Sequence, residues 1–175
     1  HLLEGIGTLD SVRQVTITPE VGGKVTQIMF EAGSKVAAGD PILQIGDETD
    51  RADLALYQAQ ERLAEINFDR SKKLVDVASP RSRVDENRSL LDESRANIAR
   101  TQAMIDKKRV TAPFDGVLGI RKVNLGQFLQ PGEPIVTVTD LSELFVTFTL
   151  PEQSRADLAE GQTVKLSVDA WPGET

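Results

Sequence analysis

The sequence contains no cysteine, and its single histidine, His1, stands at the first position. Without thiols the chain has no disulfides, no cysteine nucleophile and no thiolate metal ligand. A catalytic triad is not expected either, because it needs a histidine between a nucleophile and a carboxylate. P-loop and G-x-G-x-x-G nucleotide fingerprints are also missing. We therefore predict a protein that is not an enzyme and that binds no cofactor or metal.

Aromatic residues and long apolar runs are scarce as well. The 175 residues include one tryptophan and one tyrosine, and 39% of them are hydrophobic. This composition favours several slender modules over one large core. No uninterrupted apolar run is long enough to span a bilayer. The net charge is −7 and no aromatic platform accompanies the basic residues, so nucleic acid is not expected as a partner.

One stretch of short apolar segments separated by glycine turns occurs twice. Ile17–Asp47 and Val110–Asp140 align without a gap at a shift of 93 positions. Because glycine tolerates positive φ, coinciding glycines indicate coinciding turns. Neither copy can bury a core alone, so we expect both to form one small β-sandwich or flattened barrel. The matched turn residues are Gly23 with Gly116, Gly33 with Gly126, Gly39 with Gly132, Pro41 with Pro134 and Asp47 with Asp140.

The residues between the two copies have a helical pattern. No glycine occurs between Gly46 and Gly116, and Ser79-Pro80 is the strongest break. Acidic residues at the start and basic residues at the end suit the two helix termini. The runs Asp50–Val77 and Arg81–Lys108 therefore predict an antiparallel helical hairpin with arms of about 40 Å.

A seven-residue ladder in each arm predicts a coiled-coil seam. Arg70 occupies one position of the first ladder, where its stem could cover the seam while its guanidinium reaches solvent. The complementary seam positions are small or polar, so the seam is expected to be thin. The expected pairs are Leu56 with Ile105, Leu63 with Ile98, Arg70 with Leu91, and Val77 with Val84.

The glycine turns VGGKV (21–25) and APFDGVL (112–118) resemble those of the lipoyl/biotinyl-type hammerhead module. In carrier proteins of that type the two halves meet at a tight hairpin that bears the modified lysine. Here about sixty residues of helical sequence stand in that place. A lipoyl-like module split by a long helical hairpin is similar to the periplasmic adaptors, or membrane fusion proteins, of the HlyD and RND-efflux families.

The resemblance implies a mixed architecture of β modules and helices. A strand in 1–15 would lead from a β-barrel, and 16–49 with 109–140 would form the lipoyl-like β-sandwich. The antiparallel coiled-coil hairpin would occupy 50–108, and 141–175 would be the first part of an incomplete β-barrel domain.

The resemblance also implies a non-enzymatic periplasmic role. The protein would link an inner-membrane RND efflux transporter to a TolC-type outer-membrane channel for export of drugs or metals. It would self-associate into a ring, as a hexamer or trimer of dimers. An N-terminal segment absent from this chain would anchor it to the inner membrane.

At the hairpin tip the resemblance implies a channel-docking motif. Adaptors that meet TolC-type channels carry an arginine, a leucine four residues later and a serine seven residues after that. Arg70 and Leu74 match, whereas the third position falls on Arg81, between Ser79 and Ser82. These five residues are the candidate docking residues.

Two alternatives remain open. The first is an adaptor of an ABC-type exporter. The second is a lipoyl or biotinyl carrier domain, which requires a lysine at the junction of the half-motifs. The sequence after Asp47 is Glu-Thr-Asp-Arg, without lysine.

Overall fold

The computed structural model describes residues 5–74, 81–150 and 159–165. The chain divides into one unit of Arg13–Ser142 and a second of His1–Val12 with Glu143–Thr175. In chain order the elements are β1 (Gly7–Ile17), β2 (Gly23–Ile28), β3 (Lys35–Val36), β4 (Pro41–Ile45), α1 (Glu48–Leu74), α2 (Arg81–Lys107), β5 (Arg109–Thr111), β6 (Gly116–Leu118), β7 (Phe128–Leu129) and β8 (Val136–Phe148).

The strands form two four-stranded sheets with the orders β5-β4-β2-β7 and β1-β8-β6-β3. A shift of 93 residues carries each strand of the first sheet onto the strand at the same place in the second. The halves are also interleaved, because β2 of the first pairs with β7 of the second, and β3 of the first with β6 of the second. The predicted lipoyl-like sandwich, split by a helical hairpin, is confirmed.

The repeat holds at the level of single hydrogen bonds. The amide of Val25 donates to the carbonyl of Gln127 at 2.8 Å, and its equivalent Leu118 donates to Ser34 at 3.0 Å. The turn glycines agree at two of the three matched pairs, since φ is 82° at Gly33 and 81° at Gly126, and 86° at Gly39 and 82° at Gly132. These φ values lie in the left-handed region that favours glycine. The matching turns predicted at these two pairs are therefore present, whereas the pair of Gly23 with Gly116 does not match, because φ is 156° at Gly23 and is not positive at Gly116.

The core of the module lies between the two sheets and draws on both halves. Its members are mostly β-branched and leucine side chains, and they include the consecutive buried residues Ile42 with Leu43 and Ile135 with Val136. No half could exclude water without the other, which is why the module needs both copies. The fully buried members include Val25, Ile42, Leu43 and Ile45 from the first half, and Leu118, Leu129, Ile135, Val136 and Val138 from the second.

The two helices have 27 residues each, which corresponds to about 40 Å. They are antiparallel, since Arg95 of α2 binds Glu61 of α1 at 3.0 Å, while Lys108, just after α2, binds Asp50 in the first turn of α1. The predicted hairpin is therefore present. The end of the predicted first arm, including Val77, lies outside the described residues.

The predicted seam face of α1 is wrong. Leu56 is 54% exposed and Leu63 is 61% exposed, and Arg70 is exposed too. The side that packs toward α2 carries residues two positions earlier in each seven-residue step. Two residues correspond to about 200° around a helix, so the predicted ladder lies on nearly the opposite side. The packed side comprises Leu54, Tyr57, Glu61, Ala64, Phe68 and Ser71.

The contacts at the root of the hairpin explain this helix phase. The ion pair of Asp50 with Lys108 turns the Asp50 side of α1 toward the end of α2. Leu54 and Tyr57 follow four and seven residues later on that side. These contacts at the root, and not the apolar ladder of Leu56 and Leu63, agree with the observed rotation of α1.

The side of α2 that packs toward α1 does contain the predicted residues. Leu91 and Ile105 are 5% and 7% exposed, and Val84 and Ile98 are half-buried. Ser94, a predicted small seam residue, is buried as well and donates its hydroxyl to the carbonyl of Leu90 at 2.9 Å.

In the unit formed by His1–Val12 and Glu143–Thr175, the described residues include the outer parts of β1 and β8. A Cβ added to Gly7 would lie 3.0 Å from the carbonyl oxygen of Thr147, so the two strands are closely apposed there. The sequence predicted that the half-motif ends at Asp140, but β8 continues through it to Phe148. The neighbouring strand β1 supplies hydrogen-bond partners along this extension.

Candidate docking surface of the helical hairpin

The structure places the candidate tip residues at the far end of the hairpin. Arg70 and Leu74 belong to the last two turns of α1, and Arg81 and Ser82 open α2. All four are exposed, with Leu74 at 43%. Ser79 lies outside the described residues. The structure therefore leaves these four side chains accessible to another molecule.

The sequence predicted Arg70 in the seam opposite Leu91, but Arg70 lies on the exposed side of α1 and does not interrupt the seam. Phe68 and Ser71 occupy the packed side at this level, with Ser71 only 6% exposed. Among the described residues, none forms a hydrogen bond or ion pair with the Arg70 guanidinium. The Arg70 side chain therefore lies on the exposed side of α1.

Three apolar side chains form an exposed row on α1, which we call the outer stripe. Leu56, Leu63 and Ile66 are 54%, 61% and 55% exposed. They lie on one side of α1, away from its packed side. Exposed apolar side chains that share one side of a helix mark an interaction surface more often than isolated ones do.

Three ion pairs lie at the root of the hairpin, and the second and third of them join a helix to the β module. Lys108 binds Asp50, Lys107 binds Glu20 at 3.1 Å, and Arg51 binds Asp47 at 2.8 Å. Asp47 is only 8% exposed. Its hydrogen bond and charge raise the pKa of Arg51, which therefore stays ionised.

A second buried carboxylate lies where β8 leaves the module. Arg13 donates to Asp140 through Nε at 3.0 Å and Nη2 at 2.5 Å. Ser142 adds its hydroxyl at 2.6 Å and its amide at 3.0 Å. The bonds from Ser142, followed by that from Arg13, lower the pKa of Asp140 from 3.8 to about 2. The Arg13 guanidinium also lies 5.2 Å from the ring centre of Phe114, within cation–π range.

This lowered pKa predicts how stability depends on pH. A carboxyl group whose pKa is lower in the folded state stabilises the fold above its unfolded pKa and loses that effect as pH falls through its folded pKa. We expect the wild-type protein to melt at a higher temperature than Asp140→Asn above about pH 4. The difference should shrink between pH 4 and 2. Calorimetry from pH 2 to 6 measures it, and a difference that stays constant down to pH 2 would contradict the assignment.

We searched the described residues for metal-ligand clusters, membrane-spanning helices and a carrier lysine. Nowhere in 5–74, 81–150 and 159–165 do three metal-ligating side chains cluster. Likewise, neither helix in those ranges has the length and apolarity needed to cross a bilayer. At the junction where a carrier domain would present its lysine, β4 runs almost directly into α1. Lys108, on the other side of that junction, is held by Asp50.

Sequence reasoning missed the two buried aspartates and the packed side of α1. The repeat aligns Asp47 with Asp140, but the alignment by itself indicates only that both residues end a half-motif. Neither arginine partner has a repeat equivalent, since positions 93 residues from Arg13 and Arg51 hold Asp106 and Leu144. The ion pairs were therefore not readable from the repeat.

Comparisons with known proteins agree with this fold. The family model described as RND MFP, barrel-sandwich hybrid domain, matches residues 13–141. The multidrug resistance protein MdtA of Klebsiella pneumoniae is 33% identical over 190 aligned residues, covering 97% of this chain and 46% of the relative. An uncharacterised protein of Haemophilus influenzae is 32% identical over 160 residues, covering 91% and 42%. The chain thus spans about half the length of the curated relatives it matches.

Solved structures show the same fold. A MacA–MexA chimera containing the α-hairpin domain of Pseudomonas aeruginosa MexA superposes with a TM-score of 0.77. It is 23% identical and is matched over 89% of this chain and 59% of its own. A membrane fusion protein of Streptococcus pneumoniae R6 gives a TM-score of 0.72 at 17% identity, over 96% and 79% of the two chains.

Proposed function

The chain belongs to the RND membrane fusion proteins, and we propose that it is the hairpin-bearing part of a periplasmic adaptor of an efflux pump. In this proposal 16–49 and 109–140 form the lipoyl-like domain, 50–108 the hairpin, and 1–15 and 141–175 belong to a β-barrel domain. The protein would work by assembly and would be anchored to the inner membrane.

The partners we propose are an RND transporter in the inner membrane and a TolC-type channel in the outer membrane. The family model names the RND class, which favours that class over an ABC-type exporter. The relatives named multidrug resistance protein favour drugs as the exported molecules.

The observation that carries channel docking is the exposed end of the hairpin. At one end of the hairpin, which is about 40 Å long, four side chains are accessible: Arg70, Leu74, Arg81 and Ser82. The ion pairs of Lys107 with Glu20 and of Arg51 with Asp47 fix the other end to the β module. A fixed root with an accessible, positively charged tip suits docking onto an acidic or carbonyl-rich rim, because electrostatic complementarity orients an encounter.

The outer stripe supports the proposed self-association. Leu56, Leu63 and Ile66 leave apolar area in water that a neighbouring hairpin in a ring would cover. A ring also places several tips together, so that weak single contacts add up through multivalency.

The test is charge reversal at the tip in the complete protein, expressed in a strain that lacks its own copy. Arg70→Asp should abolish drug resistance, and Leu74→Ala should weaken it, because reversal adds repulsion to the loss of a donor. Arg62→Asp is the matched control, since Arg62 is also exposed on α1 but lies about 12 Å nearer the module. Crosslinking to the channel is measured in parallel.

The Arg62→Asp strain should keep its resistance and its crosslinks. Recovery of the transporter with each variant should be unchanged, because the substitutions lie at the far end of the hairpin. Full resistance with undiminished crosslinking in the Arg70→Asp strain would contradict the proposal that Arg70 contacts the channel.

A further inference from the structure

Both halves of the β module end on a buried aspartate. Asp47 and Asp140 are equivalent under the 93-residue shift, and they are 8% and 7% exposed. Each stands where the chain leaves the sandwich. After Asp47 the chain enters α1 at Glu48, and after Asp140 β8 continues out of the unit that ends at Ser142.

Asp47 binds the outgoing helix at two points. Its carbonyl accepts the amide of Arg51 at 2.9 Å, and its carboxylate accepts Arg51 Nε at 2.9 Å. Gln44 of β4 approaches the same carboxylate oxygen from the sheet, at 3.4 Å. One carboxylate therefore joins the last strand of the half-motif to the first turn of the hairpin.

Asp140 joins its outgoing strand in the same way. Its Oδ2 accepts both Arg13 bonds, and its Oδ1 accepts both Ser142 bonds. Arg13 lies on β1, and Ser142 lies on β8. The carboxylate thus fastens both strands at the edge of the module.

The physical argument concerns what a missing partner would cost. A buried carboxylate needs its hydrogen bonds, because an unsatisfied buried charge is strongly unfavourable. Bonds from arginine are directional, since the guanidinium donates in a fixed plane. One donor to each carboxylate lies on the element that leaves the module: Arg51 on α1 for Asp47 and Ser142 on β8 for Asp140. Bending that element would break the hydrogen bond and leave the carboxylate without this donor. The bond therefore resists bending at that point.

We propose that Asp47 and Asp140 are positioning residues: Asp47 fixes the direction in which the hairpin leaves the module, and Asp140 fastens β1 to β8 at the edge of the module. This inference rests on the proposed function, because an adaptor must hold its hairpin tip in a defined direction. The test of the inference requires no transporter or channel. The hairpin joint at Asp47 and the strand joint at Asp140 share no residue, so each should act on its own element.

The hairpin joint is tested by distances between spin labels. Because the chain has no cysteine, Lys35→Cys on β3 and Arg62→Cys on α1 give two clean attachment sites, both exposed. We expect Asp47→Ala and Arg51→Leu each to broaden the distance distribution at least twofold. Arg51→Lys should restore most of the narrow distribution, since it keeps a charged donor. Asp53→Ala, another exposed acid of α1, should leave the width unchanged.

The strand joint is tested by hydrogen exchange. Asp140→Ala should accelerate exchange at the amides of residues 13–15 and 140–142 at least tenfold, while the first turns of α1 keep their wild-type rates. Asp47→Ala should give the reverse pattern. Both variants are measured well below their melting temperatures, so that a loss of stability alone would not change the label distances.

Unchanged distance widths in Asp47→Ala, or equal broadening in Asp53→Ala, would overturn the hairpin joint. Accelerated exchange in both regions for both variants would overturn the independence of the joints. Arg70→Asp should keep narrow distances, so a failure of channel docking and a failure of the joints give different results.

Discussion

Replacing Leu91 by aspartate should open the helical hairpin, whereas the same change at Leu63 should leave it closed. Leu91 is 5% exposed and Leu63 is 61% exposed. The first substitution removes buried apolar area and buries a charge without a partner, at an expected cost of about 3 kcal/mol or more. The second places the charge in water, with an expected effect within about 0.5 kcal/mol.

Amide hydrogen exchange in the two helices measures the difference. In Leu91→Asp both helices should exchange rapidly while the β core keeps its protection, because the core residues lie in the sandwich. In Leu63→Asp both helices should stay protected, and any effect should fall on self-association through the outer stripe. Fast exchange in Leu63→Asp together with slow exchange in Leu91→Asp would contradict the packed sides described here.

Adding a methyl group at Gly116 should strongly destabilise the β module. A Cβ there would lie 2.6 Å from the carbonyl oxygen of Thr139 and 2.9 Å from Cγ2 of Val138. Both neighbours belong to β8 in the sheet centre, so the strands must move apart. Gly116→Ala should cost about 1–3 kcal/mol as an overpacked site, and Gly116→Val more.

Gly119→Ala provides the matched control for this effect. Its added Cβ would lie 3.5 Å from the carbonyl oxygen of Thr137, an ordinary contact. We expect a change in unfolding free energy within about 0.5 kcal/mol. Urea denaturation followed by circular dichroism compares the two variants, and equal midpoints would show that close packing at Gly116 is not required.

The sequence by itself determined the architecture, because the signals that carry it are local. Glycines at positive φ, such as Gly33 and Gly126, mark turns that few other residues form. Their recurrence at one ungapped shift revealed the repeat. The absence of glycine between the copies, with a single Ser-Pro break, revealed two helices of similar length.

The tertiary structure alone decided which side of α1 packs and which ion pairs form. Two apolar sides were available in that helix, and the one that contains Leu56 and Leu63 is exposed to solvent. The hairpin is attached at both strands of its root, and the pairs of Asp50 with Lys108 and Asp47 with Arg51 set the helix rotation there. A helix is rigid, so a rotation set in its first turn persists along its length. Apolar periodicity identifies a candidate side of a helix, but the partners at its ends choose among the candidates.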